Sequence, residues 1–299
     1  MSAPVLCTAT NHTYAMGAAV VLCSALRQLP VSAGMARVYV LDGGLRPRDW
    51  RKLTISVERA RPQTRLIRLR PEMARFDGLP HDWGSSVMTY ARLALPELVD
   101  EDRILYLDAD MIVQADLSPF MQLDLAGKTV AAARDVITRT LGGDHLPCEA
   151  LNLDPGADYF QAGFLVIDMA LWRNERVSER VLEYLREFPE HTRYWDQSAL
   201  NAILYRRWHR LEDRWNTPAW WADQAKEQAS LEDPLLHFIG PHKAWLLGHH
   251  QKPAALRFFG ELDRTAWKGW RPRKWREHLK WLKYRASLLL QSMRQGRDS

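Results

Sequence analysis

An α/β fold built on a mixed, mostly parallel sheet is predicted by three features of the 299-residue chain. Short apolar runs alternate with helix-length segments, one apolar run ends in paired carboxylates, and the excess positive charge is confined to residues 264–299. With 46% hydrophobic and 26% charged residues, the composition is that of a globular chain able to bury one large core.

Segment 4–10, PVLCTAT, reads as a buried strand, and the small-residue and apolar stretch from Tyr14 to Leu29 as the helix that follows it. Segment 37–42, RVYVLD, is a second strand stopped by Gly43 and Gly44; RPRDWRKLTISVE, 46–58, is a helix candidate; TRLIRL, 64–69, is a third strand. After a loop with Gly78, Pro80 and Gly84, the stretch SVMTYARLALPELV, 86–99, is expected to be one helix, and RILYLDAD, 103–110, a strand. Further strands are expected at 129–134 and 163–169, and helices at 170–186 and 196–206. Alternation of this kind argues for a sheet covered on both faces. No internal repeat or low-complexity segment interrupts it.

Cys7, Cys23 and Cys148 are too few and too scattered for a disulfide framework and form no CxxC zinc pair, so a reducing, cytoplasmic setting is expected. The N-terminal apolar run has no basic leader and is interrupted by Asn11 and His12, which does not suit a signal peptide. No apolar stretch approaches the ~20 residues that cross a bilayer. The net charge is +5, but residues 264–299 hold 11 Lys/Arg against 2 Asp/Glu, so the remainder is acidic. Two parts are expected: a catalytic domain over 1–263 and a basic, Trp-rich tail over 264–299. From Trp275 the tail repeats apolar residues at Leu279, Leu282, Ala286, Leu289 and Met293, one stripe of a helix flanked by lysine and arginine. Such a helix suits the inner face of the plasma membrane as a peripheral, anionic surface, or equally a helix packed on the domain. No recognition motif for nucleic acid accompanies it.

Asp108 and Asp110 close the strand RILYLDAD with one residue between them, which on an extended backbone points both side chains to one face. Paired hard oxygens at a strand's C-terminal end suit Mg²⁺ or Mn²⁺. A lone DxD is a weak motif and serves as often for turns and caps. Here Ile104 to Leu107 bury the strand, and adjacent buried carboxylates repel unless a cation compensates. His237, in LLHFIGPHKAW, can add a nitrogen ligand that favours Mn²⁺; Gly240 and Lys243 nearby suit a phosphate.

The ordered set TATNHTY, TYARL (89–93), LYLDAD (105–110), FQAGFLVID (160–168), YWDQSALN (194–201) and HFIGPHKAW (237–245) resembles the retaining family-8 glycosyltransferases, over about residues 4–260. That family includes bacterial lipopolysaccharide galactosyl- and glucosyltransferases and the glycogenins. The resemblance implies a single Rossmann-like, nucleotide-sugar-binding domain of the GT-A type. It implies a UDP-sugar donor and a saccharide or glycolipid acceptor. Ala9, Thr10, Asn11 and Tyr14 match positions that hold uracil and ribose, while Arg92, Asp108 and Ala109 match donor contacts. Asp108, Asp110 and His237 match the metal ligands, and Gly240 and Lys243 the diphosphate contacts. Asp135, Gln161, Ala162, Asp196 and Gln197 match positions around the transferred sugar, with Gln197, Asp196 and Lys243 as the catalytic set.

Three departures concern the base and the sugar: Asn11 where bacterial galactosyltransferases usually hold Asp, Gln161 where Asn is common, and Ser198 where Asp is frequent. Each residue also has a plainer role open to it. Arg92 can cap a helix or pair with Glu97, Gln197 can be a buried helix amide, Asp135 an N-cap, and Tyr14 and Trp245 core aromatics. Retention with Gln197, a poor nucleophile, favours front-face attack over double displacement. A nucleotidyltransferase is disfavoured because no glycine-rich phosphate loop follows the first strand. An inactive nucleotide-sugar-binding protein and a glycogenin-like self-glucosylating initiator remain as alternatives.

Overall fold

The computed structural model describes residues 3–80, 87–246 and 248–272. Strand β1 (Val5–Thr10) leads into helix α1 (Ala15–Gln28), whose residues are buried from Ala15 to Leu26. Small residues, Gly17, Ala18, Ala19 and Ala25, let α1 pack on every side, against α2 (Pro47–Ala60) and the end helix α8 (Pro253–Leu262) among others. Strands β2 (Ala36–Asp42) and β3 (Thr64–Leu69) complete the first half of the sheet.

Segment 86–99 departs from the single helix expected of it. Val87–Ala94 is a 3₁₀ helix, and only Leu95–Leu98 (α3) is α-helical. Pro96 has no N–H to continue an α ladder, and the tighter coil aligns Thr89 with Arg92 three residues on. Both side chains meet Asp196 there.

Strand β4 (Arg103–Leu107) carries the chain into the turn Asp108–Asp110 and then into β5 (Met111–Val113). The paired carboxylates therefore sit in a turn, and the alternation of an extended strand does not bring them together. Strands β6 (Val130–Ala133) and β7 (Phe164–Asp168) follow. The expected helix 170–186 is two: α4 (Met169–Asn174) and α5 (Val177–Glu187), separated where Arg176 turns left-handed at φ 51° and Glu175 is drawn to Thr129 and Arg207. Helix α6 (Asp196–Ile203) is followed by β8 (Trp208–Leu211), β9 (Thr217–Pro218), α7 (Ala219–Ala222) and β10 (Leu235–His237).

The large sheet has the order β3-β2-β1-β4-β7-β6-β8, and β7 alone runs against its neighbours, so it is mixed and mostly parallel, as expected. A small sheet, β5-β10-β9, lies across the turn from it. Its strands of two or three residues carry no periodicity that a sequence could announce.

The basic segment begins docked. Thr265 and Trp267 are buried, Ser56 accepts a hydrogen bond from Ala266 N at 2.9 Å, and Lys52 lies 5.2 Å over the Trp267 ring. Packing thus continues beyond the composition boundary at Asp263. The stripe from Trp275 to Met293 lies outside the described residues.

Gly17 places α1 against the carboxylate turn, because a Cβ there would collide with the Ala109 carbonyl oxygen. Backbone cannot yield as a side-chain tip can. Gly17→Ala is expected to cost roughly 1–3 kcal/mol in urea unfolding and to weaken divalent-ion binding; an unchanged midpoint and affinity would show that the contact is not needed.

Candidate active site

The turn Asp108–Asp110 is pinned from both sheets. Asp108 N donates to Gly163 O at 2.8 Å, and Phe238 N donates to Asp110 O at 2.9 Å. The antiparallel register of β10 on β5 sets His237 opposite Met111, next to Asp110. Ligand atoms of Asp108, Asp110 and His237 consequently lie within 4.8 Å of one another.

The His237 ring is oriented from behind. Asn216 donates its amide to Gln161 Oε1, so its Oδ1 accepts from His237 Nδ1 at 2.9 Å. The ring Nε2 lies 3.1 Å from Asp110 Oδ1 and 4.0 Å from Asp108 Oδ2. Two carboxylates and one imidazole nitrogen gathered in this way suit a divalent ion. Gly163 gives the ring its room: a Cβ there would stand 2.5 Å from His237 Cε1 and 2.6 Å from Met111 Cε.

Fixed cations already surround the turn. Arg92 is buried, pairs with Asp108 Oδ1 at 3.0 Å and Asp196 Oδ2 at 3.0 Å, donates to Ala162 O, and stacks 4.3 Å from the Tyr106 ring centre. Glu97, the plainer partner for Arg92, pairs with Arg75 instead. Lys243 Nζ binds Asp110 Oδ2 and Phe238 O. Burial would raise both carboxyls, and it does raise Asp108 despite Arg92; at Asp110, Lys243 and His237 outweigh it and hold the carboxyl well below the usual range. Lys243 is pushed up, because Asp110 outweighs the effect of its burial.

Nine of the residues expected at a donor line one cleft of about 450 Å³: Ala9, Thr10, Asn11 and Tyr14 from the end of β1, with Arg92, Asp108, Ala109, Gly240 and Lys243. Asp110 lines it too. Asn11 Oδ1 accepts from Thr13 N at 2.9 Å and Tyr14 N at 3.3 Å, shaping the entry to α1. The Tyr14 ring meets Trp245 edge-on at 5.5 Å; Trp245 is core, whereas Tyr14 borders the cleft. Gly240 adopts φ 56°, a left-handed turn that suits glycine.

The remaining expected residues, buried except for the half-buried Gln161, form a layer next to Asp108, Asp110 and His237. Gln197 Oε1 accepts from Ala162 N at 2.9 Å and its Nε2 donates to Asp135 Oδ2 at 3.2 Å. Asp135 Oδ1 accepts from Ile137 N and Thr138 N at 2.8 and 2.9 Å, an Asx turn with no helix after it, so the N-cap reading is corrected. Gln161 supports Asn216 and Gly163 N. Asp196 is 2% exposed and engaged by Arg92 and Thr89; burial pushes its carboxyl up to about 6 against the pull of Arg92. Its partners are Arg92 and Thr89, so it holds Arg92 from the side opposite Asp108. Sequence reasoning missed the roles of Thr89, Asn216 and Gly163, which come from long-range contacts; Thr89 within TYARL and Gly163 within FQAGFLVID offered a signal, and Asn216 none.

Removing the Asn216 buttress should loosen the His237 ring. Asn216→Ala is expected to weaken Mn²⁺ binding by roughly 10- to 100-fold in isothermal titration while the melting temperature changes little; an unaltered affinity would remove Asn216 from the site.

Residues 5–247 match the model of glycosyl transferase family 8. General stress protein A of Bacillus subtilis (strain 168) is 29% identical over 250 residues, covering 77% of this chain and 83% of that one. The lipopolysaccharide 1,3-galactosyltransferase of Salmonella typhimurium is 28% identical over 182 residues, 57% of this chain and 53% of its own length. The crystal structure of the galactosyltransferase LgtC with donor and acceptor sugar analogs superposes with a TM-score of 0.72 at 25% identity, over 91% of this chain and 99% of that one. The chain is an α/β protein of the GT-A type and belongs to glycosyl transferase family 8, a glycosyltransferase.

Proposed function

We propose that the protein transfers a hexose, galactose or glucose, from a UDP-sugar to a saccharide acceptor with retention of anomeric configuration, in lipopolysaccharide or lipid-linked oligosaccharide assembly. The observation that carries this reading is the trio Asp108, Asp110 and His237 beside a cleft that runs to the C-terminal end of β1. Its lining places the end of β1 at one side and the carboxylates with Lys243 at the other, which suits a nucleotide with its diphosphate at the carboxylates. A divalent ion held by the trio, Mn²⁺ or Mg²⁺, supplies positive charge to the departing diphosphate. Lys243 adds a fixed positive charge beside the trio, and the left-handed turn at Gly240 lets backbone approach the phosphates.

Arg92 holds Asp108 in place and, through Ala162 O, ties the turn to the sugar-side layer. Gln197 is locked between Ala162 N and Asp135, and as an amide it is a poor nucleophile. Front-face transfer fits this: the leaving phosphate oxygen takes the acceptor hydroxyl's proton, while the second lone pair of Gln197 Oε1 stabilises positive charge at the sugar ring.

Asp110→Ala should abolish transfer from any UDP-sugar that the wild type uses, with the fold intact by circular dichroism; near-normal turnover in chelator would end the metal reading. Proton NMR of the product decides stereochemistry: an α linkage is expected, and a β linkage would place the enzyme outside the retaining class.

We also propose that the basic segment within 264–299 holds the enzyme to the anionic inner face of the plasma membrane, near a glycolipid acceptor. Each basic residue near such a surface contributes about 1 kcal/mol, screened by salt. Because Trp267 is buried in the domain, the comparison is between the full chain and one ending at Pro272. Salt-sensitive co-sedimentation with anionic liposomes by the full chain alone is expected; equal binding by both would contradict the attachment.

A further inference from the structure

Trp195 stands where a chain least accommodates a tryptophan. Its backbone is held at φ 54° and ψ −119°, and Gln197 N donates to Tyr194 O at 3.0 Å across it. These are the dihedrals of the first central residue of a type II′ turn, a position that belongs to glycine, with asparagine and aspartate next. His145, Arg176 and Ala225 also have positive φ, but with ψ of 33°, 44° and 39° they occupy the left-handed helical well that other residues can enter. Trp195 lies outside that well. Strain of this kind persists only when the surrounding fold holds it, and it gathers at binding and catalytic sites.

The turn itself has no need of an indole. It leads into α6 and so delivers Asp196 to Arg92 and Gln197 to Ala162 N, and glycine would form it without strain. The side chain therefore calls for a use, and the cleft supplies one. Trp195 is half-buried: it packs against the core and lines the donor cleft with Met88 and Thr89. That wall has two ends. At one, Gly43 leaves room for Met88 Sδ and donates from its N to Thr10 O at 2.9 Å, beside the residues expected at the base. At the other, Thr89 bonds Asp196, the neighbour of Trp195. Trp195 thus stands at the sugar end of the cleft, with the segment that carries Gln197.

We propose that Trp195 is a specificity-determining residue for the transferred sugar, its indole forming the wall that receives the apolar C–H face of an uncharged hexose. The proposal depends on the UDP-sugar reading above and deepens it. Hydrogens on sugar carbons carry slight positive charge from the adjoining oxygens, which suits the negative face of an aromatic ring. An indole has only two rotatable angles, and here the backbone is fixed as well, since Trp195 N donates to Thr192 O at 2.9 Å. The wall is set before the sugar arrives, so little freedom is lost on binding. The base and the diphosphate are served by other residues of the cleft, so the ring acts on the sugar alone.

The test is calorimetric titration of the Mn²⁺-saturated protein with UDP, UDP-glucose and UDP-galactose, in wild type, Trp195→Gly, Trp195→Asn and Trp195→Phe. Glycine and asparagine suit the turn and remove the ring, whereas phenylalanine keeps an aromatic face. In the glycine and asparagine variants, affinity for the UDP-hexose that wild type binds best should fall about tenfold relative to UDP, with UDP itself bound as in wild type. Phenylalanine should restore most of the wild-type ratio. A ring that serves packing alone would lower the affinities for UDP and UDP-hexose together with the melting temperature, or leave all three unchanged; either result overturns the proposal, as does a phenylalanine variant no better than glycine. Ratios unchanged across the variants would remove the role of Trp195 and leave the UDP-sugar reading standing, whereas a wild type that binds no UDP-hexose would remove that reading and this wall with it.

Discussion

Two carboxylates in one three-residue turn are the constraint from which the rest of this structure follows. With ligand atoms within 4.8 Å, Asp108 and Asp110 repel by roughly 3–4 kcal/mol at an effective dielectric near 20. The turn also joins two sheets, since β4 pairs with β7 on one side and β5 with β10 on the other. Electrostatic repulsion and the connection between the sheets are therefore located in the same residues. Arg92 and Lys243 offset part of the charge from opposite ends, and the residue that remains is what a divalent ion matches.

Much of the architecture can be understood as delivering compensating groups to that turn. The 3₁₀ coil of residues 87–94 exists to bring Arg92 inward with Thr89 alongside, and Asp196 holds the pair. The small sheet sets His237 in register with Met111, and Asn216 fixes which ring nitrogen carries the proton. Gly17 and Gly163 contribute by absence, one admitting α1 and the other admitting the imidazole. A second layer then fixes the Gln197 amide between Ala162 N and Asp135.

The sequence was most legible where burial is strong and local. The runs PVLCTAT, RVYVLD and RILYL read as strands because their apolar residues are contiguous, and each is a strand of the large sheet; TRLIRL, only half-buried, forms its edge strand. Pairing of β5, β9 and β10 was not legible, because strands of two or three residues owe their state to their neighbours. The break at Glu175 was equally hidden, since Thr129 and Arg207 pull that side chain from far along the chain. At the site, motif order brought forward Asp108, Asp110, His237, Gly240 and Lys243, which do converge. Asn216 carries no motif, Thr89 opens TYARL without announcing its bond to Asp196, and the pairing of Asp196 with the buried Arg92 joins residues far apart in the chain.

If the turn is built to receive a diphosphate through a cation, the nucleotide should bind poorly without one, since its own charge would meet two carboxylates. The most direct measurement is calorimetric titration of UDP into the metal-stripped protein and into the same protein saturated with Mn²⁺. Binding at least about 100-fold tighter with the ion is expected, equivalent to roughly 2.7 kcal/mol. Equal affinity in the presence of chelator would mean that Asp108, Asp110 and His237 do not act through a metal on the donor.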